Sequence, residues 1–141
     1  MVTLLIGKKG TGKTKKLISL ANEAVAASTG NVVVIEKGSK LTYDVTHKAR
    51  LIDTEQYLIS GYDMLFGFIS GICAGNYDVT DILVDSTFKI CPEALAGLET
   101  LHKESFQDLD RNCINVTLFS LFLLTKAKFR SQSMLFAEKY N

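Results

Sequence analysis

The sequence lacks three features that would narrow its class at once: a long apolar run, an excess of one charge, and a paired set of cysteines. Its longest stretches without a charged residue, Met64–Tyr77 and Cys113–Thr125, are too short to cross a bilayer as helices. The net charge is +1, so no overall field recruits nucleic acid or a membrane surface. We therefore expect neither a membrane protein nor a general nucleic-acid binder.

The cysteines argue against disulfide and zinc chemistry. Cys73, Cys91 and Cys113 are an odd number without metal-ligand spacing, and each has apolar neighbours, so we expect buried free thiols. The first predicted strand begins at Val2, which leaves no room for a signal peptide and favours a cytoplasmic protein. Without a repeat or a low-complexity segment, the 141 residues predict one domain, 1–141.

The most informative feature present is a phosphate-binding loop (P-loop) motif at residues 7–14. Gly-Lys-Lys-Gly-Thr-Gly-Lys-Thr matches G-x-x-x-x-G-K-[ST] between an apolar strand pattern and a helical one, which is the setting that this motif requires. We expect backbone N–H groups to cradle phosphates, Lys13 to reach the β- and γ-phosphates, and the Thr14 hydroxyl to bind Mg²⁺. The residues predicted to hold the nucleotide are Gly7, Gly10, Thr11, Gly12, Lys13 and Thr14.

Strand and helix patterns alternate along the chain, which predicts an α/β fold with a mainly parallel sheet flanked by helices. The predicted strands are residues 2–6, 32–35, 50–53, 82–84 and 114–119. The predicted helices are residues 15–28, closed by Gly30, then 56–75, a long amphipathic helix opening at Pro92, and a short one in the tail from Lys126. Residues 38–50 are polar and predict a loop.

Asp85 follows the predicted strand 82–84, and this pattern of apolar residues and then an acid is typical of a second Mg²⁺ ligand beside Thr14. Many RecA-like and AAA+ ATPases place a catalytic Glu next, but Ser86 stands there. Glu36, at the end of the second strand, is the first substitute as a general base, and Asp53 and Glu55 are further options. The alternative, which we favour at this stage, is that Glu36 is a solvated residue at a strand exit.

Other nucleotide signatures are absent or weak. No Asn/Thr-Lys-x-Asp element occurs, so ATP is favoured over GTP, and no segment resembles the arginine-bearing lid of a small-molecule kinase. Thr117, in the strand predicted at residues 114–119, or Ser120, directly after it, could sense the γ-phosphate. Either hydroxyl could instead form a hydrogen bond to nearby backbone. Arg130 could sense phosphate or belong to a solvated basic tail.

Glycine recurs every four residues at Gly67, Gly71 and Gly75. On a helix these residues form a smooth stripe, and because each mid-helix glycine costs about 0.5–1 kcal/mol, close approach of another element is expected. Packing against the sheet is the first interpretation and a subunit interface the second.

The P-loop, the stretch Arg50–Asp53, the run Gly67–Ile72 and the stretch Ile82–Asp85 together resemble a group of small, uncharacterised bacterial P-loop ATP-binding proteins. Some of these carry a twitching-motility ATPase label, although the motors themselves are far longer. The resemblance implies a three-layer P-loop NTPase fold with RecA-like strand order and ATP binding, and it implies no particular reaction.

Two functional hypotheses follow. In the first, the chain is a weak or partner-stimulated ATPase in which Lys13 and Glu36 are catalytic and Thr14 and Asp85 hold Mg²⁺. In the second, it is a nucleotide-binding switch without turnover, in which ATP orders residues 38–50 for a partner. A protein partner or a homo-oligomer fits either hypothesis, and phosphoryl transfer to a small molecule is the weakest alternative.

Overall fold

The computed structural model describes residues 2–7, 10–92, 115–121 and 135–140, with side chains for Leu5 and for residues 10–92. The strands are β1 (Val2–Gly7), β2 (Asn31–Glu36), β3 (Arg50–Asp53), β4 (Val79–Val84), β5 (Asn115–Leu121) and β6 (Leu135–Tyr140). The helices are α1 (Lys13–Ala27), α2 (Tyr62–Gly75) and the single turn α3 (Thr87–Ile90). The described residues therefore form an α/β structure.

The strands form one sheet in the order β3-β2-β4-β5-β1-β6. All neighbouring pairs are parallel except β1 and β6. The chain thus moves from β1 to the far side of the sheet, and β5 later returns to lie between β1 and β4. Because parallel strands end at the same side, the ends of β2, β3 and β4 share one edge, which we call the carboxyl edge.

Helices α1 and α2 lie on opposite faces of this sheet, as the alternation along β2 shows. Val32 and Val34 join the buried cluster that contains Leu17 and Ala21 of α1. Val33 and Ile35 join the cluster that contains Leu65 and Ile69 of α2. A strand buried on both faces explains the continuous apolar run Val32–Ile35.

Several predicted elements are confirmed and others are wrong. The edge strand 50–53 is present, and residues 37–49 form a loop. Helix α2 begins at Tyr62 rather than at residue 56, because residues 54–58 form a hydrogen-bonded turn after which Ile59 donates its N–H to the Thr54 carbonyl. Part of the predicted terminal helix is instead β6, which pairs antiparallel with β1.

The remaining expectations divide in the same way. Cys73 and Cys91 are buried free thiols, as predicted, whereas Cys113, Arg130 and the helix expected after Pro92 lie outside the described residues. None of the helices that the structure describes is both long and apolar enough to span a membrane. The single-domain prediction stays a prediction.

Gly30 serves close packing rather than the predicted helix cap. Helix α1 is capped by Ser28, whose N–H bonds to the Ala24 carbonyl. A Cβ added at Gly30 would collide with the Asp78 carbonyl and the Thr80 methyl. Glycine is therefore required here because the backbone leading into β2 passes directly against the start of β4.

The glycine stripe of α2 does not pack on the sheet. Its buried face is Leu65, Ile69 and Cys73, and Gly67, Gly71 and Gly75 are exposed, with no described atom within 4 Å of an added Cβ. The packing interpretation is therefore wrong. The interface interpretation stays a prediction.

These two kinds of glycine predict opposite responses to alanine. Gly30→Ala should lower the free energy of unfolding by about 1–3 kcal/mol, since backbone has to shift. Gly71→Ala, the matched control, should raise it by about 0.5–1 kcal/mol through helix propensity. Urea unfolding of both variants checks this, and a destabilised Gly71→Ala would show that something packs against the stripe.

Candidate functional site

The predicted P-loop leads into α1 through two glycines in the left-handed conformation. Gly10 has φ 83° and Gly12 has φ 81°, values that residues with a side chain rarely adopt. Gly12 is the N-cap of α1, no side chain caps it, and the first turn carries no acidic residue. The positive end of α1 therefore faces the loop without a built-in anion.

Lys13, at the start of α1, and Asp85, after the end of β4, are near enough to interact electrostatically. Burial lowers the pKa of Lys13, and the negative charge of Asp85 acts in the opposite direction. The Lys13 ammonium also donates to the Thr11 hydroxyl at 3.5 Å. The structure thus brings together the two charged residues that the sequence singled out separately, while Lys8 and Lys9 of the loop lie outside the described residues.

Asp85 occupies a sharp turn between β4 and α3. Its N–H donates to the Ile35 carbonyl at 2.8 Å, and its Oδ2 accepts from the Ser86 hydroxyl at 2.9 Å. Ser86 has φ 52°, an uncommon conformation for a residue other than glycine that often marks functional turns. Sequence reasoning treated Ser86 as a missing glutamate and did not find this contact.

Glu36 is neither solvated nor at a free strand exit, so that expectation is wrong. Only 2% of its surface is exposed, and its carboxylate accepts the N–H groups of Lys40 and Leu41 at 3.1 Å. Burial raises the pKa of Glu36, the two N–H bonds oppose this, and the charges of Asp85 and Asp53 add to the rise. A charged side chain inside the protein therefore shapes the loop that follows β2.

Three acids lie level along the carboxyl edge. Glu36 is in register with Asp53 of β3, and because Ile35 pairs with Val84, Glu36 is level with Asp85. Asp53 Oδ1 accepts the N–H groups of Gly38 and Glu55, at 2.8 and 2.9 Å. Among the described residues, no group of three or more potential ligands is arranged to hold a metal ion by itself.

The other predicted site residues are placed with less detail. Thr14 lies in the first turn of α1 and is exposed, and Glu55 is exposed. Thr117 and Ser120 lie on β5, where Ser120 is in register with Ile6. Two buried hydroxyls near the carboxyl edge, Thr54 and Thr87, have no hydrogen-bond partner among the described residues, and no sequence signal had pointed to them.

Residues 37–49 pack against the α1 face of the sheet. Leu41, Val45 and Ala49 are buried in the cluster on the α1 face. Asn22 of α1 donates to the Asp44 carbonyl and accepts the Thr46 N–H. Apolar burial and two side-chain hydrogen bonds therefore hold this loop against α1.

Comparison of the sequence with models of known protein families and with curated proteins found no match.

The contacts of Glu36 predict a large structural cost for its removal. Glu36→Ala should lower the free energy of unfolding by about 2 kcal/mol or more, because the buried Leu41 N–H and the partly buried Lys40 N–H lose their acceptor. The exposed Glu55→Ala should change it by less than about 0.5 kcal/mol. Urea unfolding measures both, and hydrogen exchange should show faster exchange of the Lys40 and Leu41 amides in Glu36→Ala alone.

Proposed function

We propose that the chain binds ATP with Mg²⁺ through residues 7–14 and is a weak or partner-stimulated ATPase. One observation carries the proposal: α1 begins at Lys13, directly after a left-handed Gly12, with Asp85 near enough to act on the Lys13 pKa. A cation and an uncapped helix N-terminus at the end of a glycine-containing loop are what a polyphosphate needs.

The strand order supports a P-loop NTPase fold of the RecA-like kind. Such sheets carry an extra strand between the P-loop strand and the strand that ends in Asp, as the sequence resemblance implies. In this chain β5 lies between β1 and β4. A chance motif at a glycine-rich turn would not require this topology.

The residues present also fit a magnesium ion. Mg²⁺ keeps several waters and takes only one or two protein ligands beside the phosphate oxygens. The Thr14 hydroxyl and the Asp85 carboxylate would be those ligands, and the ion would neutralise charge on the β- and γ-phosphates.

Weak turnover is proposed because the position after Asp85 holds Ser86. Glu36 is the acid best placed to orient a water, since it lies level with Asp85 and its raised pKa makes it a stronger base. However, the Glu36 carboxylate already accepts the Lys40 and Leu41 N–H groups, which engages its oxygens within the loop rather than with a water. Those bonds favour the second candidate function, a nucleotide-binding switch without hydrolysis.

The first test is nucleotide binding by the wild type, Lys13→Ala and Asp85→Ala. We expect Lys13→Ala to weaken ATP binding by about tenfold or more, since a charge-assisted phosphate contact is worth roughly 1.5–3 kcal/mol. Asp85→Ala should reduce the dependence of binding on Mg²⁺, and chelation of Mg²⁺ should weaken wild-type binding. Titration calorimetry with and without Mg²⁺ measures all of these effects.

The exposed Lys15→Ala is the matched control for charge in the same helix, and it should bind ATP nearly as well as the wild type. If the wild type fails to bind ATP in the presence of Mg²⁺, the proposal is wrong. Equal losses in Lys13→Ala and Lys15→Ala would indicate general attraction to positive charge rather than a P-loop.

Glu36→Gln separates the ATPase from the switch. Glutamine keeps the size of the side chain and an oxygen for the Leu41 N–H, but it cannot take a proton. If Glu36 is the base, turnover should fall by about 10²-fold or more with little change in ATP affinity. Steady-state phosphate release measures this, and unchanged turnover would leave Glu36 with its structural role alone.

A further inference from the structure

The chain before β3 and the chain after it carry opposite charges. Lys48 and Arg50 stand at the start of this strand, and Asp53 and Glu55 stand at its end. The excess of negative charge continues after β3, since residues 51–88 contain six acidic residues and no lysine or arginine. An element with this asymmetry is electrostatically complementary to a copy of itself in the reverse direction.

The same strand is an open edge of the described sheet, because β3 pairs only with β2. Thr54 donates its N–H to the Glu36 carbonyl at 2.8 Å. In a parallel pair alternate residues face the same neighbour, so the backbone groups of Leu51 and Asp53 face away from β2. The Asp53 carbonyl accepts the Gln56 N–H at 3.2 Å, which leaves the Leu51 N–H and carbonyl and the Asp53 N–H directed towards the open side. Unpaired backbone groups at a sheet edge are a template for another strand.

Beyond the end of β3, Leu58 projects from the turn that precedes α2. Its side chain is 82% exposed, and its φ of 55° is rare for a bulky residue. The neighbouring Tyr57 is 52% exposed, and its ring lies 5.8 Å from that of Phe68. A strained and exposed leucine costs free energy in an isolated chain, which points to a use in binding.

At the other end of β3 the surface has a pocket of about 520 Å³. Val45, Ala49 and Leu51 form its apolar lining. His47, Lys48 and Arg50 add basic groups to it. The pocket is therefore complementary to the Leu58 turn in shape and in charge. The pocket is an apolar recess with basic residues, and the turn is an apolar projection beside acidic residues.

We propose that two copies of the chain associate through antiparallel β3 edges about a two-fold axis. In this arrangement the Leu58 turn of each copy lies beside the 42–51 pocket of the other, and Glu55 approaches the partner's Lys48. One two-fold operation satisfies both contacts, as an isologous interface requires. A basic, apolar surface on another protein is the competing occupant, and the association state distinguishes the two.

Sedimentation velocity over a range of protein and salt concentrations tests the dimer. The wild type should dimerise, with weaker association at high salt. Leu58→Gly should weaken association by about tenfold or more, because it removes the apolar projection. Glycine accepts the left-handed conformation, so the variant should melt at the same temperature or higher. Tyr77→Ala, which removes a larger side chain that is 97% exposed elsewhere, should dimerise normally.

A charge exchange makes the test independent of Leu58. Lys48→Glu and Glu55→Lys should each weaken the dimer, and the double variant should recover much of the lost affinity because the opposite charges face one another again. A wild type that stays monomeric throughout overturns the proposal, whether or not this edge binds another protein. A dimer insensitive to Leu58→Gly, or two single variants that the double does not rescue, would also overturn it.

Discussion

The parallel pairing of β2 with both neighbours sets the arrangement of charge at the carboxyl edge. It brings Asp53, Glu36 and Asp85 level on adjacent strands, where like charges repel. Each acid is stabilised by donors from the chain that follows a strand. These donors are the N–H groups of Gly38 and Glu55 for Asp53, those of Lys40 and Leu41 for Glu36, and the Ser86 hydroxyl for Asp85. The loops therefore take their shape from the carboxylates.

Local pattern was enough for the features that local sequence controls. The apolar run Val32–Ile35 and the P-loop spacing predicted a buried strand, a turn and a helix, and the structure has β2 and α1 there. The short strand at residues 50–53 was also predicted, because a strand needs only a few β-forming residues between polar ones. The proximity of Lys13 and Asp85 followed from the general rule that parallel strands end at one edge.

The errors lie where particular hydrogen bonds, some within a turn and some to distant parts of the chain, decide the outcome. Residues 56–61 have acceptable helical character, but the Ile59 N–H bonds to Thr54 and the Gly61 N–H bonds to the Ile90 carbonyl, so α2 starts later. Residues 135–140 form a strand because β1 offers them an edge. Glu36, at the end of β2, was expected to be solvated, as a glutamate at a strand end usually is. The N–H groups of Lys40 and Leu41 donate to its carboxylate and so offset the cost of burying it.

The same row of acids is the reason to expect that nucleotide binding at the proposed site would depend on a divalent cation. A triphosphate brings several negative charges towards an edge that already carries three carboxylates, and Lys13 with the α1 terminus offsets only part of them. The raised pKa of Glu36 eases the repulsion, because this carboxyl takes up a proton more readily than an exposed one. A divalent cation held by Asp85 would offset part of the remainder. The magnesium dependence that we propose therefore rests on the charge at this edge, since the described side chains supply no complete set of ligands.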